Sequence, residues 1–172
     1  MNTIVMTGET GVGKTRVVEA LGVGRRLMLI DPLGQQSVPA LLNLPNNGHP
    51  QWSAPEDPVD LVVFDHATWL SGSADQVQKA RAWCEKHQVN LLLVVQRQED
   101  LDSLGISLPA DELATVSLSR SPQVEALHVS IRHPGESTDW NAPFEAPHKV
   151  ASSTVFKRLL KATTNRRSRK AS

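Results

Sequence analysis

The sequence predicts an α/β fold: a doubly wound, mainly parallel sheet of the three-layer α/β/α kind. Three observations support this prediction. Four short apolar runs are continuous rather than alternating, which is typical of strands that are covered on both faces. Segments with helical spacing of apolar residues lie between the runs, and right-handed crossovers would join them into one sheet. The four runs are Thr3–Met6, Leu27–Ile30, Leu61–Phe64 and Leu91–Val95.

The helices between these strands have clear start and stop signals. The first is predicted over Lys14–Leu21, with Gly22 ending it, because glycine commonly follows the last helical turn. A capping box at residues 73–76 opens a second helix that runs to about His87. Glu99–Leu104 predicts one or two further helical turns.

The last part of the chain predicts two more strands and a final helix. Leu113–Leu118 and Glu125–Ile131 alternate more than the earlier runs and predict a fifth strand and a more exposed sixth. Ser153 is expected to cap a short C-terminal helix, which a basic tail follows. The apolar stripe of this helix consists of Val155, Phe156, Leu159 and Leu160.

Two stretches are predicted to be irregular. Residues 32–58 contain six prolines, and only Val38–Leu44 has the pattern of a helix. Residues 133–148 are rich in proline, glycine, serine and asparagine. Long loops in compact domains are usually functional or mobile.

A complete phosphate-binding loop, G-x-x-x-x-G-K-T, follows the first strand and opens the first helix. In such a loop the backbone N–H groups wrap nucleotide phosphates, the lysine reaches the β- and γ-phosphates, and the threonine hydroxyl binds Mg²⁺. A chance match in a glycine-rich turn is the alternative, and the strand before and helix after it argue against that. The sequence therefore predicts binding of a nucleoside triphosphate with Mg²⁺. The loop residues are Gly8, Glu9, Thr10, Gly11, Val12, Gly13, Lys14 and Thr15.

Polar residues also end the later strands, at the edge of the sheet where ligands of such folds bind. Asp65 follows the third run and is predicted to hold Mg²⁺ together with Thr15; the alternative is an aspartate that caps a turn. Gln96 follows the fourth run and can sense the γ-phosphate or orient the attacking water; the alternative is a strand-end amide facing solvent. Asp31 ends the second run.

The order of phosphate loop, Asp65 strand and Gln96 strand resembles the P-loop ATPases that have an additional strand between the two Walker motifs. Residues 29–32 resemble the second strand of the FtsK–HerA group, and residues 94–101 resemble its fourth-strand exit. The resemblance covers residues 1–132 and is greatest to the compact phage DNA-packaging and Zot-like assembly ATPases. It implies ATP hydrolysis in DNA packaging, DNA transfer or phage assembly, with Lys14, Asp65 and Gln96 as the catalytic residues.

One residue departs from this group. His66 stands where the group usually has the glutamate that polarises the attacking water. Histidine can act as a base near neutral pH, or Asp31, Glu9 or Glu99 can supply the carboxylate. His66 is otherwise a turn residue, and hydrolysis is then slow or lost.

Members of the group often complete the site with an arginine from an adjacent subunit, because phosphoryl transfer needs positive charge in the transition state. Arg97, Arg120 and Arg132 are the candidates, and each is also consistent with an ordinary surface arginine. An arginine acting in trans implies a homo-oligomer.

The charge is unevenly distributed, although the whole chain is neutral. Residues 1–150, the predicted nucleotide-binding domain, contain eleven basic and eighteen acidic residues, a net charge of −7. Residues 151–172, the predicted C-terminal helix and tail, contain seven basic residues and no acidic ones. This asymmetry favours contact between the tail and DNA; the alternative is a solvated tail.

Composition excludes several classes of protein. Cys84 is the one cysteine, which excludes an intramolecular disulfide framework and suggests a packing residue. No apolar run approaches the ~20 residues of a membrane span, and the chain enters a strand without a secretory leader, so we expect a cytoplasmic protein.

The six histidines lack the spacing of a zinc site. Trp52 and Trp140 are packing residues or contacts for a base or partner.

The sequence is also consistent with two alternative functions. One is a small-molecule or nucleotide kinase, although residues 104–120 are short and poor in arginine for a lid. The other is a regulatory ATP-binding protein with little hydrolysis, which His66 favours.

Overall fold

The computed structural model describes residues 3–33, 42–44, 52–69, 73–107, 113–121, 126–133, 136–143 and 146–161. In these residues eight strands form one sheet. The strands are β1 (Thr3–Gly8), β2 (Leu27–Ile30), β3 (Leu42–Leu44), β4 (Leu61–Phe64), β5 (Asn90–Val94), β6 (Leu113–Ser121), β7 (Ala126–His133) and β8 (Glu136–Pro143). The helices are α1 (Lys14–Gly22), α2 (Ser73–His87), α3 (Asp100–Ser103), α4 (Pro147–Ala151) and α5 (Thr154–Lys161), with a 3₁₀ turn at Ala67–Trp69.

The strand order across the sheet is β3-β2-β4-β5-β1-β6-β7-β8. All pairs from β3 to β6 are parallel, whereas β7 runs antiparallel to both β6 and β8. The predicted α/β fold with a mainly parallel sheet is therefore confirmed. In this order β5 lies between β1, the strand before the phosphate loop, and β4, the strand before Asp65.

The central strands bury side chains on both faces, which explains why their sequences are continuously apolar. On β4, Leu61 and Val63 belong to the hydrophobic cluster that contains α1, α4 and α5. Val62 and Phe64 point into the other cluster, which contains α2 and α3. The sheet therefore separates two cores, each closed by helices, and the three predicted layers are confirmed.

Cys84 packs in the α2 layer, as the sequence predicted. Its side chain is fully buried among apolar residues. Burial disfavours the thiolate and raises the pKa of the Cys84 thiol to about 12.

Two sequence predictions about the irregular stretches were wrong. Leu42–Leu44 forms the edge strand β3 rather than the end of a helix; the rest of the predicted helix, residues 38–41, lies outside the described residues. Residues 136–143 form β8 rather than a loop. Both strands lie at the edges of the sheet. Each pairs with a neighbouring strand, and this tertiary context outweighs the weak strand preference of its own sequence. Along β8, Trp140 packs against the core and Ala142 is buried.

The C-terminal helix α5 docks on the core, in agreement with its predicted stripe. The Phe156 backbone N–H donates to the Ser153 hydroxyl oxygen over 3.2 Å, which is the expected cap. Phe156 and Leu159 share one cluster with α1. The Asn90 amide donates to the Leu160 carbonyl over 2.6 Å and joins the helix to β5. The predicted tail from residue 162 lies outside the described residues. Among the described helices, none is long and apolar enough to cross a membrane.

We expect Phe156→Ala to destabilise the protein by about 3–5 kcal/mol, because it removes a fully buried aromatic side chain and leaves a cavity. Urea unfolding followed by circular dichroism measures this change. The control is Val23→Ala, at a side chain that is 76% exposed, which should change stability by less than about 0.5 kcal/mol. An unfolding midpoint of Phe156→Ala equal to that of the wild type would show that α5 does not belong to the folded core.

Candidate functional site

One edge of the sheet collects the polar residues that follow the parallel strands. The phosphate loop (Gly8–Thr15) follows β1, Asp31 follows β2, Asp65 follows β4 and Gln96 closely follows β5. These four strands are parallel neighbours, so their carboxyl ends lie at the same edge. We call this edge, with the loop and these three side chains, the rim.

The phosphate loop depends on glycine at its first position. A Cβ on Gly8 would lie 2.5 Å from the Leu118 carbonyl oxygen of β6 and 2.8 Å from a methyl of Val12. The Gly8 N–H donates to the Gln96 carbonyl over 3.1 Å, which ties the start of the loop to the end of β5. At Gly13, directly before α1, φ is 103° and no neighbouring atom lies within 4 Å of the Cβ position. The backbone there is open to close approach by an anion.

The Lys14 side chain folds back over the loop. Its ammonium donates to the carbonyl oxygens of Gly8 over 2.6 Å and Glu9 over 3.0 Å. Burial lowers the pKa of Lys14 below the ordinary lysine value, and the negative charge of Asp65 opposes that shift. A partly desolvated cation thus lies inside the loop, and its charge is screened less there than in bulk water.

Asp65 and Asp31 are the two buried carboxylates of the rim. Asp65 is 1% exposed and Asp31 is fully buried. The Thr15 hydroxyl donates to Asp65 Oδ2 over 3.3 Å. Backbone N–H groups orient both carboxylates: His66 donates to Asp65 Oδ1 and Leu33 donates to Asp31 Oδ1, each over 3.0 Å. The predicted pair Thr15 and Asp65 therefore meets in the folded chain, with a second carboxylate from the neighbouring strand.

His66 occupies the turn after β4 and faces these carboxylates. Its φ is 50°, which is uncommon for a residue with a side chain, and its carbonyl accepts from the Trp69 N–H to begin the 3₁₀ turn. Its ring Nδ1 lies 3.5 Å from Asp65 Oδ2 and 3.8 Å from Asp31 Oδ1. His66 is therefore a turn residue, which was one of the alternatives from the sequence. Its ring also lies beside the acidic pair.

Gln96 lies against the phosphate loop. Its amide donates to the Thr10 hydroxyl oxygen over 3.2 Å. Asp100 Oδ2 accepts from the backbone N–H groups of Gln96 and Arg97, which holds the turn after β5 in place. An amide so placed can reach a group bound at the loop.

The predicted arginines and alternative carboxylates are dispersed. Arg120, on β6, donates to the Gly11 carbonyl of its own chain over 3.1 Å. Arg97 and Arg132 are exposed, as are Glu9 and Glu99. The structure thus places Arg120 against the loop in cis and brings Asp31, rather than either glutamate, next to Asp65 and His66.

A cleft of about 310 Å³ opens between the phosphate loop and the turn after β4, a volume in the range of small-ligand sites. Lys14, Thr15, His66 and Gln96 line it. Trp69 also lines it and is 61% exposed. Sequence reasoning missed Trp69 in this position, since an exposed tryptophan cannot be told from a buried one by composition.

The other tryptophans that the structure describes pack. Trp52 stacks with Phe64 at a centroid distance of 6.2 Å and meets Trp83 edge-on at 6.1 Å. Trp140 packs against the hydrophobic cluster that contains α1, α4 and α5.

No model of a known protein family matches the chain, and no curated protein matches it in sequence. Among solved structures, the chain is similar to a KaiC-like protein from the hyperthermophilic archaeon Pyrococcus horikoshii OT3. The two are 13% identical, with a TM-score of 0.46, and the match covers 81% of this chain and 84% of that chain.

We expect Gly8→Ala to destabilise the protein strongly, because the new methyl group overlaps the Leu118 carbonyl in the neighbouring strand. Gly24→Ala is the matched control. Gly24 also has a positive φ, 74°, but no atom lies within 4 Å of its Cβ position. The control should cost only the left-handed strain of about 1–2 kcal/mol, and Gly8→Ala should cost more than that. Equal losses in urea unfolding would contradict the close approach at Gly8.

Proposed function

We propose that the chain binds ATP with Mg²⁺ in the cleft beside the phosphate loop and hydrolyses it. The observation that carries this proposal is the combination at the rim of an open glycine backbone before α1, Lys14 folded over the loop, and Thr15 in contact with Asp65. Each part has a role in holding a triphosphate, and Gly13, Lys14 and Thr15 line one cleft.

In this proposal the loop residues Gly8–Thr15 bind the phosphates through their backbone N–H groups. Lys14 exchanges its two carbonyl partners for phosphate oxygens, which are better partners for an ammonium because they are charged. The hydroxyl of Thr15 and the carboxylate of Asp65 are both oxygen donors, as Mg²⁺ prefers. Thr15 and Asp65 would hold Mg²⁺ beside the loop, and the ion would supply positive charge to neutralise the phosphates.

Gln96 and the acidic pair are placed for the remaining steps. The Gln96 amide is tied to the loop through Thr10 and can orient a water against the γ-phosphate, because it both donates and accepts. Asp31 lies beside Asp65 and adds a second buried carboxylate to the site. Arg120 contacts the loop at Gly11 and adds positive charge from the same chain.

A regulatory ATP-binding protein with little turnover is the second candidate. The observation that favours it is His66, since its backbone begins the 3₁₀ turn and its ring faces two carboxylates. Measurement of ATP turnover separates the two candidates, because only the first requires release of phosphate.

The resemblance to the FtsK–HerA group supports a role in DNA packaging, DNA transfer or phage assembly in the cytoplasm, as a homo-oligomer. Helix α5 adds to this proposal. It buries Phe156 and Leu159 and leaves Lys157, Arg158 and Lys161 exposed. A cationic surface that leads into the basic tail suits a polyanion such as DNA.

We expect Lys14→Ala to weaken binding of a non-hydrolysable ATP analogue by about 10- to 100-fold, the effect of losing one charged hydrogen-bonding partner. Isothermal titration calorimetry in the presence of Mg²⁺ measures the affinity. Lys86→Ala, at an exposed lysine of α2, is the control and should bind as the wild type does. If Lys14→Ala binds the analogue as tightly as the control, the loop is not the phosphate site.

We expect DNA to stimulate ATP turnover. We also expect deletion of residues 165–172 to reduce both the affinity for DNA and the dependence of that affinity on salt. The deletion removes four positive charges, Arg166, Arg167, Arg169 and Lys170, and each phosphate contact contributes about −0.9 to the slope of log K against log salt. Fluorescence anisotropy with labelled DNA at several salt concentrations gives that slope. An unchanged slope would rule out the tail as a DNA contact.

A further inference from the structure

We propose that Asp31, Asp65 and His66 form a binding site for one divalent transition-metal ion of the Mn²⁺ class. This inference deepens the proposed function and rests on it, because Asp65 is also the residue proposed to hold the cation of the bound nucleotide. It adds two ligands, Asp31 and the His66 ring, and names the metal that the rim prefers when no nucleotide is bound.

The first argument is geometry. One ligand atom from each of the three side chains lies within 4.8 Å of the others. The His66 Nδ1 atom is 3.5 Å from Asp65 Oδ2 and 3.8 Å from Asp31 Oδ1. Ligands at about 2.0–2.2 Å from a metal are separated from each other by about 3.0–4.3 Å. The three atoms therefore surround a point that an ion can occupy with small side-chain movements.

The second argument is the state of the imidazole. His66 Nδ1 is buried, and within the described part of the chain it has no hydrogen-bond partner. A buried polar atom without a partner is costly, whereas a neutral imidazole nitrogen is a common metal ligand. The missing hydrogen bond points to a ligand between the ring and the two carboxylates.

The third argument is burial and charge. Asp31 and Asp65 are at most 1% exposed, and two carboxylates from adjacent strands face the same ring. A divalent ion placed among them would interact favourably with both carboxylates in a site that is largely removed from water. Backbone N–H groups orient both carboxylates without a metal. The two carboxylate ligands are therefore held in position before a metal binds.

The ligand set decides the class of ion. Mg²⁺ favours an all-oxygen octahedral shell, whereas an imidazole nitrogen favours first-row transition metals. Two carboxylates and one imidazole therefore select Mn²⁺ over Mg²⁺. In this arrangement the His66 Nδ1 lone pair binds the metal, so His66 is a ligand and the general base is another residue.

The test is electron paramagnetic resonance of Mn²⁺ added stepwise to the full, nucleotide-free chain, in which bound Mn²⁺ loses the sharp signal of the free ion. We expect one bound Mn²⁺ per chain, and we expect a large excess of Mg²⁺ to be needed to displace it. His66→Gly and Asp31→Asn should each weaken Mn²⁺ binding by about tenfold or more, because each removes a ligand. Mn²⁺ should also raise the melting temperature of the wild type.

The controls separate ligand loss from damage to the fold. Glycine adopts a φ of 50° without strain, so His66→Gly keeps the turn. Gln88 also has a positive φ, 59°. Gln88→Gly therefore makes the same type of change outside the site. His148→Ala removes an exposed histidine from α4. Both controls should bind Mn²⁺ as the wild type does.

Two results would overturn the inference: no Mn²⁺ bound by the nucleotide-free wild type, or equal Mn²⁺ binding by His66→Gly and Gln88→Gly. Binding of an ATP analogue with Mg²⁺ is measured on the wild type in parallel. If the analogue binds and Mn²⁺ alone does not, the transition-metal site is wrong and the nucleotide site stands. If Mn²⁺ binds at His66 and the analogue does not bind, the proposed nucleotide function is wrong.

Discussion

Parallel pairing of β4 with β5 and of β5 with β1 is the constraint on which the rim depends. The register places Phe64 beside Leu93 and Met6 beside Val94. Pairing continues past the strand ends, where the Asp65 N–H donates to the Ile30 carbonyl and the Val95 N–H donates to the Met6 carbonyl. Because side chains alternate along a strand, a slip of one residue would turn Asp65 to the opposite face. Backbone hydrogen bonding thus decides which side chains meet Thr15.

The rim combines groups of opposite charge that are largely removed from water. Lys14 is held by loop carbonyls on one side, and Asp31 and Asp65 are held by backbone N–H groups on the other. The backbone N–H groups around the carboxylates are set in place when the chain folds, so these dipoles need little reorganisation around a charge at the rim. The strand ends provide rigid support for this arrangement, because their side chains fill both cores.

Much of this fold follows from short-range sequence signals, and the exceptions share a cause. The runs that became β1, β2, β4 and β5 are apolar throughout because they are central. Edge strand β8 is polar and depends on its neighbour β7, so its own sequence predicts a loop. The contact of Asp31 with His66 joins residues that are far apart in sequence and meet only because β2 pairs with β4. The glycine-rich loop could be located from the sequence because its motif lies in consecutive residues.

The buried thiol of α2 has a practical consequence for studies of this protein. With its pKa raised to about 12, Cys84 is almost entirely protonated at neutral pH, and the protonated form does not attack maleimides or iodoacetamide. It is also the one cysteine in the sequence. Cys84 therefore should not react with thiol labels. A single cysteine introduced at a chosen surface position can carry a dye or spin label without first removing the native one.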